Sequence, residues 1–162
     1  MSPKEPRDPK SCHERALGLL AVRPRSRREL ERRLEQAGFD SEEVRDELRR
    51  LEDVGLIDDE AFARQFAEHA LVVRKAGARA VRSALAAKGV EPGTAALAVD
   101  GAGEDEEERA ESLARSRAAR LGGVEPARAF GRLTSLLVRR GYEPALARRA
   151  ARRALEIVSI ED

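Results

Sequence analysis

Arg148, Arg149, Arg152 and Arg153 form two i,i+4 pairs near the end of the chain, a spacing that lines four guanidinium groups along one side of a helix. The chemistry on offer is anion recognition, because each guanidinium presents parallel N–H donors that match phosphate or carboxylate oxygens. Arg139 and Arg140 lie close enough upstream to join that face. Twelve arginines stand against three glutamates from Arg109 to Arg153, while Cys12–Ile57 has ten basic and eleven acidic residues and Asp58–Gly103 six of each. The cationic excess is therefore local, although the whole chain carries only +1. The run Glu104-Asp-Glu-Glu-Glu108 just upstream reads as a solvated helix start that complements the dipole.

Few other groups are equipped for chemistry. Cys12 stands beside His13, but His69 is the only other histidine and there is no second cysteine, so neither a zinc site nor an internal disulfide is expected. Asp58-Asp59-Glu60 reads as helix capping in preference to metal binding. A Gly-rich phosphate loop, a G-x-S-x-G elbow and a Ser/His/Asp grouping are all missing, so the expectation is a protein with no enzymatic activity and no cofactor. Phe39, Phe62, Phe66 and Phe130 read as core by their spacing, which leaves few aromatic platforms for stacking single-stranded bases.

The elements that must position these groups repeat. Leu34-Glu-Gln-Ala-Gly38-Phe39, Leu85-Ala-Ala-Lys-Gly89-Val90 and Leu137-Val-Arg-Arg-Gly141-Tyr142 place their glycines 51 and 52 residues apart. Leu30, Val81 and Leu133 stand four residues before each leucine, on the same helical face. Each phrase predicts a helix with an apolar stripe, closed by glycine in the left-handed conformation. A helix before it (Cys12–Val22, Asp59–Lys75, Glu104–Leu121) and one after it complete a triplet, with Ser26 and Glu29 forming a capping box at the start of the second helix.

Aromatic content of 3% and few β-branched residues leave little material for strands, so the fold class is all-α. The predicted organisation is a disordered tail over residues 1–11 and three-helix units at 12–57, 58–103 and 104–158. Charged residues make up 38% of the chain, which favours units set in a line over one compact globule. No stretch approaches the roughly 20 apolar residues of a membrane span, and Met1–Lys10 lacks the apolar run of a secretion signal. A cytoplasmic protein is expected, and the near-zero net charge with no exposed apolar heptad predicts a monomer.

The chain resembles the RecX regulatory proteins, bacterial modulators of the RecA recombinase. The resemblance rests on Ser26-Arg-Arg-Glu-Leu30 with Leu34 and Gly38, then Leu51 with Gly55-Leu-Ile-Asp-Asp-Glu-Ala-Phe-Ala63. It continues through Arg74, Gly77, Val81, Leu85 and Lys88-Gly89-Val90 to Arg139-Arg-Gly-Tyr142, where Tyr142 stands in a place the family often gives to Phe. It implies an elongated, curved array of three tandem three-helix repeats that binds the RecA filament on single-stranded DNA along the filament's helical groove. It further implies inhibition of RecA ATP hydrolysis and strand exchange, tempering homologous recombination and the SOS response to DNA damage, with no catalytic residue or cofactor. On that reading Arg74, Lys75, Arg79 and Arg82 in the middle unit, with the arginines of the last unit, are the candidate contacts to the filament and its DNA.

Two other readings start from the same sequence. Three-helix units also suit a helix-turn-helix transcription regulator that reads duplex sites, or a scaffold that binds only protein. Asp58-Asp59-Glu60 sits between the first two units and predicts a fixed joint there, with Phe62 and Phe66 packed against Leu51 and Leu56.

Overall fold

The computed structural model describes residues 10–102 and 105–161. The helices are α1 (Cys12–Val22), α2 (Arg27–Gln36), α3 (Ser41–Asp53), α4 (Asp59–Glu68), α5 (Ala78–Ala87), α6 (Pro92–Asp100), α7 (Glu106–Ala118), α8 (Pro126–Arg139) and α9 (Pro144–Glu161), and α4 runs on into a π-helical turn at His69–Val73. No strand occurs among the described residues. The tail expected over residues 1–11 falls mostly outside them, and Ser11 belongs to the fold, because its hydroxyl caps α1 in a box with Glu14.

The repeated phrase has a local cause. Gly38, Gly89 and Gly141 take φ of +94°, +79° and +98°, and the amides of Phe39, Val90 and Tyr142 donate back to the carbonyls of Leu34, Leu85 and Leu137 at 3.3, 3.0 and 3.1 Å. This closure satisfies a carbonyl left over at each helix end and turns the next apolar side chain inward. The stripe pairs Leu30/Leu34, Val81/Leu85 and Leu133/Leu137 are all buried.

Three hydrophobic clusters follow one another along the chain. The first joins Cys12, Leu30, Leu34, Leu48, Leu51 and Ile57. The second joins Phe62, Leu71, Val81, Leu85, Val90 and Val99, and the third Leu113, Leu133, Leu137, Tyr142, Leu146 and Ala150. Extensive helix packing is of α2 on α3, of α4 and α5 on α6, and of α7 and α8 on α9, always within a triplet. Phe62 therefore packs in the second cluster and not against Leu51, which lies in the first. Leu56 is 53% exposed: the left-handed Gly55 (φ +78°) swings it outward, and Ile57 turns in to close the first core.

The units meet at helix corners, by one arrangement used twice. The start of α2 sits on the α5–α6 corner, where the Ser26 hydroxyl donates to the Lys88 carbonyl (2.5 Å) and the Arg27 amide donates to Asp59 Oδ1 (2.9 Å). The start of α5 sits on the α8–α9 corner, where the Gly77 amide donates to the Arg140 carbonyl (2.8 Å) and the Ala78 amide donates to Glu106 Oε1 (3.0 Å). In both, the acidic first residue of the following unit's first helix satisfies the first orphan amide of the preceding unit's middle helix. Asp58 caps α4 itself through the Ala61 amide (3.0 Å), so the two aspartates divide the work between helix and joint. A third copy of this joint is foreclosed at the start of α8. There Pro126 has no amide to offer, and Glu125 already accepts from Ala127 and Arg128.

Candidate functional site

Each joint leaves a cleft, and both clefts border Phe66. Arg74, Ala70, Ala80, Arg139 and Arg140 line the cleft between the second and third units with that ring. Arg23, Phe62, Gln65, His69 and Lys88 line the cleft between the first and second. The half-buried Phe66 thus has cationic side chains in both clefts, and its ring is engaged: Phe62 stacks on it with centroids 6.3 Å apart, and Lys88 Nζ lies 5.6 Å from its centroid.

The two clefts differ in available charge. Glu29 holds Arg23 (3.0 Å) and Lys88 (3.2 Å), so the first cleft's cations are partly neutralised. Arg74 and Arg139 are exposed and have no ion-pair partner among the described residues, which leaves the second cleft as the stronger anion attractor.

Burial opposes ionisation of Glu29, but hydrogen bonds from Arg23, the Ser26 amide and Lys88 outweigh it and hold the carboxyl at about 2. A carboxyl depressed in the folded state stabilises fully above its unfolded value, near 4.5, and loses that contribution as pH falls toward 2. Glu29→Gln is expected to lower stability at pH 7 by on the order of 2–3 kcal/mol and to flatten the acid limb between pH 4.5 and 2. Urea unfolding as a function of pH checks this, and parallel curves for the two proteins would contradict it.

Of the sequence-predicted contacts, the structure brings Arg74, Arg139 and Arg140 into one cleft. Lys75 is half-buried beside it with φ +52°, while Arg79 and Arg82 are exposed on α5 outside the lining. The α9 face is divided. Arg149 and Arg153 turn to Glu107 at 3.6 and 3.2 Å, Arg153 also bonds Glu111, and Arg148 and Arg152 remain exposed. The acidic run is correspondingly more than a solvated helix start. Asp105 caps α7, Glu106 closes the second joint and Glu107 pairs with α9, while Glu104 lies outside the described residues.

Sequence reasoning missed Arg23, Phe66, His69 and Lys88 as neighbours. The legible signal was Lys88, which precedes the repeated glycine as Arg140 does. Cys12 is no candidate for reaction, since burial, with Glu43 and Glu47 adding to it, pushes its thiol up to about 11.

Known proteins share this architecture. A family model described as the first three-helix domain of RecX matches residues 12–51, and one for the second three-helix domain matches residues 58–99. A regulatory protein RecX of Mycobacterium sp. (strain KMS) is 37% identical, across 97% of this chain and 85% of the relative. The chain belongs to the RecX family of regulatory proteins. Another RecX, from Streptomyces coelicolor, is 36% identical over 93% of this chain and 81% of its own length. The crystal structure of RecX from Lactobacillus salivarius superposes with a TM-score of 0.79 at 19% identity, covering 90% of this chain and 95% of that one, so the RecX fold is shared where little sequence is. No helix among the described residues is long and apolar enough to cross a membrane.

Proposed function

We propose that this RecX-family chain is a non-enzymatic, cytoplasmic regulator that binds the RecA filament on single-stranded DNA as a monomer. By occupying the filament it inhibits RecA ATP hydrolysis and strand exchange, and so tempers homologous recombination and the SOS response. The observation that carries the reading is the cleft between the second and third units, where Arg74, Arg139 and Arg140 converge without enough acid to neutralise them. Arg148, Arg152, Arg79 and Arg82 add exposed positive charge outside it. With the Phe66 ring already engaged by Phe62 and Lys88, the cleft suits the phosphates of a strand already held by protein better than the bases of a free one. Serial three-helix units 12–57, 58–103 and 104–158, joined by fixed corners, give such contacts the avidity of one body.

The transcription-regulator reading fares worse. Helices α3, α6 and α9, third in each unit, are each preceded by an acid, Asp40, Glu91 and Glu143, which would meet phosphate at the mouth of a groove.

The deciding experiment titrates single-strand-dependent ATP hydrolysis by the cognate RecA with this protein at two salt concentrations. Wild type is expected to inhibit below one protein per RecA, and Arg74→Ala/Arg139→Ala to need about tenfold more and to respond less steeply to salt. Undiminished inhibition by the double variant would remove the cleft from the contact surface.

A further inference from the structure

The turn that carries Arg74 and Lys75 is strained and is held from outside as well as from within. Lys75 is the only non-glycine residue with positive φ among those described, and a lysine has no short polar side chain to compensate it locally. The turn is also wound wide, for the Arg74 amide donates to the His69 carbonyl (3.1 Å) and the Ala76 amide to that of Ala70 (3.0 Å), as the chain leaves the π turn. What holds it from outside comes from the third unit. The Tyr142 hydroxyl donates to the Lys75 carbonyl (2.7 Å), the Arg140 guanidinium donates to the Arg74 carbonyl, and the Arg140 carbonyl accepts the Gly77 amide.

We propose that Tyr142 is a positioning residue for the anion cleft: its hydroxyl, by fixing the Lys75 carbonyl, holds the left-handed turn that presents the Arg74 guanidinium to a phosphate. The claim rests on the functional reading of the cleft. The first joint has no such latch. Val90, the counterpart of Tyr142, carries no hydroxyl, and the corner at Arg23-Pro24-Arg25 is braced from within its own unit, Arg25 Nε donating to the Leu19 carbonyl (3.1 Å). Tyr142 is fully buried, so the rest of its ring packs in the third core whether or not the hydroxyl is present. The hydroxyl also bonds the side chain of buried Arg109, so Tyr142→Phe removes the latch with the ring kept but lowers stability as well, and its melting temperature is read beside the slope.

The test measures the affinity for a fluorescent oligothymidylate strand coated with the cognate RecA, across a salt series in which that filament stays assembled, for wild type, Arg74→Ala, Tyr142→Phe and the double variant. Arg74→Ala is expected to lower the slope of log affinity on log salt by about one. Tyr142→Phe should lower it by a similar amount and weaken binding about fivefold, with no further loss in the Arg74→Ala background. A merely structural hydroxyl would shift the melting temperature and leave the slope alone. Lys75→Gly takes positive φ without help, so adding Tyr142→Phe to it should leave its slope unchanged. A wild-type slope for Tyr142→Phe, or losses that simply add to those of Arg74→Ala, would overturn the positioning role while leaving the cleft intact. A wild-type slope for Arg74→Ala, or no binding by wild type, would overturn the cleft and the role with it.

Discussion

Gly141→Ala is expected to destabilise the protein by about 2–5 kcal/mol, the same change at Gly38 by only about 1–2, although both glycines stand in the same repeated phrase. Each has a strongly positive φ, +98° and +94°, so alanine is strained at both. They differ in what surrounds them. A Cβ at Gly141 would lie 2.3 Å from Ala80 Cβ and 2.6 Å from its amide nitrogen, whereas one at Gly38 would meet nothing within 4 Å. The obstacle is backbone and a Cβ, neither of which can swing aside, so relief requires the second and third units to part. Gly77 isolates the steric share, because it has no positive φ to defend yet its Cβ would fall 2.2 Å from the Gly141 carbonyl carbon. Gly77→Ala should cost about 1–3 kcal/mol. Since the two residues occupy one contact, the double variant should cost less than the sum of the singles. Urea unfolding with hydrogen exchange measures these, with exchange predicted to rise first at the starts of α5 and α9. Equal costs at Gly38 and Gly141 would mean that the corner is not a joint.

That contrast marks where sequence reasoning stops. Leu34, Leu85 and Leu137 announce a helix, its inward face and its glycine closure, because all of those depend on residues within five positions of one another. The seat that two of the three corners provide for a neighbour depends on Ser26 meeting Lys88 and Gly77 meeting Arg140, each separated by more than a repeat. Asp59 and Glu106 look like any acid in a first turn, and nothing near them in sequence says that the amide they satisfy belongs to another helix. The guanidinium face of α9 was legible as spacing. Its partial neutralisation was not, since it follows from α7 lying against α9. Lys75 was the least legible of all. It is a left-handed residue of none of the types that usually betray one, and two of the bonds on its turn come from Tyr142 and Arg140 in another unit.

Phe62 tests whether the cores are as separate as they look. It is 9% exposed, belongs to the second cluster and also borders the first cleft beneath Arg23 and Lys88. Phe62→Ala is expected to cost about 3–5 kcal/mol, the range for an aromatic side chain taken from a packed core. Ala63, Ala67, Ala78, Ala95 and Ala98 of the same cluster are too small to fill the space by rotating, so much of the cavity should persist and the loss fall in the upper part of that range. Stacking on Phe66 goes with the ring, which frees one face of the residue shared by both clefts. Leu56→Ala is the control. Had Phe62 packed on Leu56, both truncations would be severe, but a side chain 53% exposed should give up no more than about 0.5 kcal/mol. In native-state hydrogen exchange the Phe62 variant should lose protection throughout α4, α5 and α6 while Leu30, Leu34 and Leu48 keep theirs, because the first cluster shares no member with the second. Uniform loss across all three units would instead make the array one cooperative body, whose corners transmit a core defect as readily as a core does.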